Sequence, residues 1–219
     1  MPLLCAAPAL AAPVPREDER TKVARAFGVW SAPDRDCSFT LKGDQLRVTL
    51  FGGEALCGQP RVGSADVAPR ALREVEGDFV AVVRVVVPAA PKDADGPCSF
   101  RSGALVAWES DKQHVVIRRC AGNIDGNREP VWTRLTADGK LTECITDTRR
   151  PGEAAFLRIR RDDNTVAAAW SRDGELWRAF GSFEVAWGAK VKVGIAAENG
   201  LGTPTEITFD RYSLTVPKK

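Results

Sequence analysis

A tryptophan, a histidine and an arginine lie in two successive segments in which apolar residues alternate with other residues. If Leu105 and Ala107 face a hydrophobic core, the alternation leaves Trp108 on the opposite face of its strand. By the same alternation His114 and Arg118 point outward in the next segment. An indole can stack against the apolar face of a sugar, while an imidazole and a guanidinium can hydrogen-bond its hydroxyl groups. The pattern therefore predicts a carbohydrate-binding surface.

Two further residues extend this candidate surface. Arg84 lies inside the Val-rich run 79–87 and is expected on the same sheet face. Trp132, together with Arg134, is expected to border that face from the following segment. In the alternative interpretation the first tryptophan belongs to the core, and the arginine beside it only lays its aliphatic stem on apolar neighbours. That alternative predicts a structural domain without a small ligand.

Motifs of nucleophilic and phosphate chemistry are absent from the sequence. A Ser-His-Asp triad would need the single histidine and a nucleophilic serine, but no G-x-S-x-G motif occurs. Neither a G-x-G-x-x-G motif nor a P-loop occurs. Asn123, Asp125 and Asn127 are spaced like a run of calcium ligands, but no glutamate closes the loop that such sites use. The sequence thus predicts no cofactor, with calcium in this segment as the alternative.

The cysteines suggest disulfides rather than a metal site. No C-x-x-C pair occurs, and one histidine in the whole chain argues against structural zinc. In an oxidising compartment cysteines pair. A bond between Cys120 and Cys144 is predicted first, and a bond of Cys37 with Cys57 or Cys98 second. The alternative is that all of them are buried and reduced.

Short strand patterns separated by turns recur from residue 37 onward, without a long helical period. Two pairs of patterns flank Gly43-Asp44 and Asp162-Asp163-Asn164, as expected of β-hairpins. The run 79–87 is apolar on both sides of the alternation, which predicts burial on both faces or nearly so. Ten or more such patterns predict an all-β sandwich or barrel. The predicted strands are 37–42, 46–50, 79–87, 103–108, 114–119, 131–135, 141–145, 155–161, 165–171, 177–180, 190–198 and 205–216.

Six segments, in their order along the chain, resemble a known superfamily. They are Arg70–Ala81, Gly103–Trp108, Phe156–Arg161, Trp170–Trp177, Val191–Ala197 and Phe209–Leu214. This order resembles the concanavalin A-like lectin/glucanase superfamily. Within it, the chain is similar to a branch of uncharacterised bacterial proteins related to the yeast regulator of enolase, and to the C-terminal jelly-roll domain of some β-xylosidases. The resemblance covers roughly residues 27–216 and implies a concanavalin A-like jelly roll.

The resemblance also indicates where catalysis would reside. Jelly-roll glucanases of the superfamily carry an E-x-D-x-x-E run on one strand, whose carboxylates can flank a glycosidic bond. This chain has no such run; its nearest acidic pair, Glu74 and Glu76, is expected to flank a turn at a strand entry. The sequence therefore predicts a non-catalytic, lectin-like module. The alternatives are a structural or protein-interaction (regulatory) domain with no small ligand and, third, a divergent glycoside hydrolase.

The first residues predict export. The chain opens with an apolar, alanine-rich stretch without charge before Arg16, and Ala9-Leu10-Ala11 resembles a signal-peptidase site. Residues 1–22 are accordingly predicted as signal peptide and charged linker, and 23–219 as the jelly-roll domain, placing the protein outside the cell or in the periplasm or envelope. A formal net charge of +2 without a basic run argues against nucleic-acid binding. No apolar stretch is long enough for a transmembrane helix.

Overall fold

A computed structural model describes residues 17–32, 37–51, 68–91, 100–110, 112–122, 130–137, 140–147 and 152–217. Within these ranges the chain forms one helix and fourteen strands. They are α1 (Glu17–Ala26), β1 (Val29–Ser31), β2 (Cys37–Lys42), β3 (Gln45–Leu50), β4 (Arg70–Glu76), β5 (Phe79–Val86), β6 (Phe100–Ser110), β7 (Gln113–Gly122), β8 (Pro130–Ala137), β9 (Lys140–Asp147), β10 (Ala155–Asp162), β11 (Thr165–Ser171), β12 (Arg178–Glu184), β13 (Lys190–Asn199) and β14 (Thr205–Thr215).

Two antiparallel sheets of seven strands each pack face to face. Sheet A has the order β1-β4-β13-β6-β7-β8-β9, and sheet B the order β12-β11-β10-β5-β14-β3-β2. The two hairpins predicted around Gly43 and Asp163 form as β2–β3 and β10–β11. Gly43 and Asp163 both have positive φ, as tight hairpin turns require. The predicted all-β sandwich is confirmed.

The core lies between the sheets and is built by period-two alternation. In sheet A, Leu105 and Ala107 of β6 and Ile117 of β7 are buried in the main core. The intervening Val106 belongs to a separate apolar cluster on the other side of the sheet. The predicted inward and outward directions of β6 and β7 are therefore confirmed.

Strand β5 corrects the expectation that the Val-rich run is buried on both faces. Its residues alternate between fully buried and half-buried, with Val83 and Val85 in the core and Val82 partly exposed. The reason is that β5 is a central strand of sheet B, whose other side faces solvent. An apolar residue on such a face is common, because folded proteins expose much apolar surface.

The stretch predicted as a charged linker contains a helix. α1 crosses the predicted boundary between residues 22 and 23, and its Val23 and the following Phe27 are buried in the main core. Arg73 of β4 donates hydrogen bonds to the carbonyls of Ala24 and Arg25. Carbonyls in the last turn of a helix have no N–H donor within the helix itself. Arg20, Lys22 and Arg25 of α1 are exposed, which explains why the charged composition of this stretch predicted a linker.

Strand β4 was not among the predicted strands. It contains Glu74 and Glu76, expected to flank a turn, and pairs with β13 along its whole length. Gly194 of β13 lies against β4 so closely that a Cβ there would overlap the Ala71 carbonyl. Glycine at this position is thus a requirement of the close approach of two strands.

Candidate functional site

The side of sheet A turned away from sheet B, here called the outer face, brings together four of the five predicted binding residues. Trp108 pairs in register with His114 of β7, and Arg118 pairs with Trp132 of β8. The alternation that buries the core on one side leaves all four on the outer face.

Trp108 is half-buried and lies beside two cations. The Arg70 guanidinium lies 5.1 Å from the centre of its ring and the Lys192 ammonium 5.4 Å from it. Both distances are within the range of cation–π attraction. The indole Nε1 is shielded from solvent and has no hydrogen-bond acceptor among the described residues. A buried donor of this kind is normally satisfied by a protein group, water or ligand.

Trp132 forms a second cluster on the same face and is more enclosed. The guanidinium groups of Arg118 and Arg134 lie 5.0 and 4.6 Å from its ring centre. Arg118 also donates to Glu198 Oε2 over 2.8 Å, and Ser102 donates to the same oxygen over 3.2 Å. Trp132 is 7% exposed and Arg118 is 2% exposed. The side chains around Trp132 are therefore buried and fixed by contacts with one another.

Small and apolar residues separate the two clusters. Leu72, Ala104, Val106 and Val116 form a compact apolar cluster there, with Gly194 in register between Val106 and Leu72. Arg70 of β4 pairs with Ala196 of β13, which is four residues from Lys192. Gly194 lies midway between Ala196 and Lys192.

His114 has a structural role in its present position. It is 3% exposed, and its Nδ1 lies 3.2 Å from the Ser110 carbonyl oxygen. A carbonyl only accepts, so Nδ1 carries the hydrogen in that bond. The bond spans the bulged end of the β6–β7 hairpin and orients the ring there.

Arg84 does not belong to this site, contrary to the prediction. It lies on β5, in sheet B, and points to the far side of the sandwich from Trp108. There its guanidinium forms a 2.7 Å ion pair with Asp210 of β14. Alternation gave its direction relative to its own strand correctly, but it could not say in which sheet the strand lies.

Three residues of the outer face were missed: Arg70, Lys192 and Glu198. Each lies on β4 or β13, far in sequence from β6, although β13 pairs directly with β6. Lys192 stands between Val191 and Val193, so its outward direction could have been read from the alternation. Lys192 lies beside Trp108 because β13 pairs with β6, and no local pattern in the sequence predicts that pairing.

The sheet register rules out the first predicted disulfide. Cys120 is on β7 and Cys144 on β9, with β8 between them. Two strand spacings amount to about 9.5 Å, whereas a disulfide spans Cα atoms no more than about 7 Å apart. For the second prediction, Cys37 is half-buried on β2, while Cys57 and Cys98 lie outside the described residues.

The proposed calcium ligands Asn123, Asp125 and Asn127 also lie outside the described residues. Within the described part of the chain, no cluster of three or more His, Cys, Asp or Glu side chains is arranged to hold a metal ion. The helix that the structure describes there is too short and too polar to cross a membrane.

Solved structures share this architecture. A protein of unknown function from Saccharomyces cerevisiae aligns with a TM-score of 0.65 at 18% identity, over 87% of this chain and 97% of its own. The carbohydrate-binding module CBM66 from Bacillus subtilis aligns with a TM-score of 0.52 at 9% identity, over 85% of this chain and 95% of its own. The fold is a concanavalin A-like jelly roll. The resemblance inferred from the sequence is confirmed at the level of the fold.

The jelly roll also matches part of larger enzymes. A xylan β-1,4-xylosidase from Bacillus halodurans aligns with a TM-score of 0.56 at 14% identity, over 94% of this chain but only 40% of the enzyme. No protein-family model and no curated protein matches the sequence. At these identities the likeness is one of fold, so function must be argued from the outer face itself.

Proposed function

We propose that the protein is a non-catalytic carbohydrate-binding module whose site is the Trp108 end of the outer face of sheet A. The observation that carries the proposal is the half-buried Trp108, with an indole N–H that has no acceptor among the described residues. The charged groups of Arg70 and Lys192 lie beside its ring, and Trp108 packs against the apolar cluster of the outer face. Aromatic rings with a few directed polar groups are what sugar recognition requires.

The fold supports this proposal, since the matched CBM66 is named as a carbohydrate-binding module. The predicted leader supports action outside the cell or at its envelope, where polysaccharides are encountered. Non-catalytic binding is favoured because two carboxylates of the outer face, Glu198 and Glu74, are engaged by cations. Glu198 bonds to Arg118, and Glu74 bonds to Lys190 over 2.9 Å.

A glycan-array screen of the full chain, with and without calcium, tests this function. We expect Trp108→Ala to weaken glycan binding by roughly tenfold or more, because losing one stacked aromatic removes about 1–3 kcal/mol. Trp177→Ala is the matched control: Trp177 is also half-buried and also has an arginine, Arg158, 4.2 Å from its ring centre. It lies beyond sheet B, at the entry to β12, and its loss should leave binding unchanged.

A second function, a protein-interaction or structural domain without a small ligand, is favoured by the enclosure of the Trp132 half. His114, Arg118 and Trp132 are nearly excluded from solvent, and the Arg118 guanidinium lies 5.0 Å from the Trp132 ring centre. Absence of glycan binding by folded protein would favour this second function. Equal losses in Trp108→Ala and Trp177→Ala would contradict the placement of the site.

A further inference from the structure

The outer face concentrates positive charge around its two tryptophans. Its described cations are Arg70, Arg118, Arg134 and Lys192. Glu198, in the Trp132 cluster, is matched by Arg118 in a 2.8 Å ion pair. Toward the edge, Glu74 bonds to Lys190, and Glu76 also lies near that ammonium. The acidic groups Glu198, Glu74 and Glu76 of this face are thus each associated with a cation.

Lys192 is the most accessible of these cations. It is exposed, whereas Arg118 and Arg134 are buried. Its direct cross-strand partner is Glu74, but that carboxylate bonds to Lys190 instead. No carboxylate of the described residues lies within ion-pair distance of Lys192. Its ammonium lies beside the Trp108 ring, which positions the charge at the one half-open tryptophan of the face.

The surroundings of Trp108 differ from those of a bare stacking platform. Two cations already lie near its ring, so an incoming neutral sugar would have to displace them or share the ring with them. A ligand that carries negative charge gains charge-assisted contacts with both cations. Charge-assisted hydrogen bonds of this kind are about twice as strong as neutral ones.

We infer that the outer face selects a polysaccharide bearing acidic groups, with Lys192 and Arg70 binding the anion beside Trp108. The inference rests on the proposed carbohydrate-binding function and narrows its ligand class. The shared chemistry is an oxyanion on a sugar ring, which a uronate carboxylate or a sulfate ester supplies.

Matched pairs of polymers separate charge from sugar identity. Binding of the full chain is measured by calorimetry to polygalacturonate and its methyl ester, and to dextran sulfate and dextran. We expect binding to at least one charged polymer and at least tenfold weaker binding to its neutral counterpart. The affinity should fall severalfold when the salt concentration rises to about 0.5 M, because screening then acts within a few ångströms. Comparing the affinities for polygalacturonate and dextran sulfate shows whether a carboxylate or a sulfate ester is recognised.

Substitutions then locate the effect. Lys192→Ala should weaken binding roughly tenfold, and Lys192→Arg should retain most of it. Arg160→Ala changes the net charge by the same amount on an exposed side chain of sheet B, and should leave binding unchanged. Equal losses for Lys192→Ala and Arg160→Ala would overturn the site, since only net charge would matter.

The two proposals fail differently. Binding to neutral glycans that depends on Trp108 but not on salt or Lys192 would overturn the acidic ligand and leave the carbohydrate-binding function standing. Absence of binding to every polymer and to the glycan array, by protein shown to be folded, would overturn both.

Discussion

Arginine side chains next to tryptophan rings recur throughout the molecule. Every tryptophan except Trp30 has an arginine Cζ within 6.0 Å of its ring centre. The cation–π contact is therefore a general packing device of this chain and does not by itself mark a ligand site. Trp132 also has two arginines beside its ring but is only 7% exposed. Trp108 alone among the described tryptophans combines two neighbouring cations with partial exposure. The tryptophans of the core, Trp170 and Trp187, are nearly fully buried.

The ion pair between Arg118 and Glu198 should contribute measurably to stability. The arginine side chain is 2% exposed and the glutamate 30%, so the pair is only partly screened by water. In a double-mutant cycle with Arg118→Met and Glu198→Gln, we expect a coupling energy of about 1–2 kcal/mol in the free energy of unfolding. Urea denaturation of the four proteins measures it.

A matched pair on the other sheet serves as the control for this cycle. Arg160 and Asp162 lie 2.7 Å apart, but their side chains are 59% and 60% exposed. Their coupling should be below about 0.5 kcal/mol, as for most exposed pairs. If both cycles gave the same small value, the outer-face pair would be as screened as a surface pair, and the enclosure of the Trp132 cluster would not be energetically significant.

At the scale of elements, local alternation predicted directions but not neighbours. It placed Trp108, His114 and Arg118 on the same side, because β6 and β7 are a hairpin whose register follows from a short connection. It assigned Arg84 to the wrong sheet, because β5 pairs with β10 and β14 through contacts between residues far apart in sequence. Long-range pairing of this kind is decided by the whole core and leaves no period in the sequence.

Gly194 shows how an element can depend on a residue that has no side chain. We expect Gly194→Ala to lower the free energy of unfolding by about 1–3 kcal/mol, because the new Cβ would force β4 away from β13. Gly202→Ala is the control, since a Cβ there meets nothing within 4 Å. Urea midpoints at unchanged slope measure the difference. Indistinguishable midpoints for the two variants would mean that β4 can shift at little energetic cost.

At the scale of the whole molecule, the sequence predicted the all-β architecture and missed the helix α1, which contacts the edge strands β1 and β2 of the two sheets. Regular alternation of short segments is a strong signal for strands. A ten-residue helix of charged composition gives only a weak sequence signal. Among its described side chains and the residues next to it, the core contains Val23 and Phe27. The positions of Arg70 and Lys192 beside Trp108 also depend on the pairing of β4, β13 and β6, which no local pattern predicts.

The helix should control the ionisation of the single tyrosine of the chain. Phe27 stacks on Tyr212 with ring centres 5.3 Å apart. Burial raises the pKa of Tyr212 from 10.0 to about 12, while the charge of Arg73 acts in the opposite direction. Because the folded state holds this proton more tightly than the unfolded state, the resulting stabilisation is complete below about pH 10. It is lost as the pH rises through about 12.

Phe27→Ala should therefore change two measurements together. We expect the free energy of unfolding to fall by about 3–5 kcal/mol, as for other buried phenylalanines, and the pKa of Tyr212 to move from about 12 toward 10.0 as water reaches its hydroxyl. Ultraviolet titration of tyrosinate reads out this residue alone, since no other tyrosine is present. Val29→Ala is the control, because Val29 is 72% exposed and should alter neither quantity. A destabilised Phe27→Ala protein whose tyrosine still titrates near 12 would show that strands, rather than the helix, shield Tyr212.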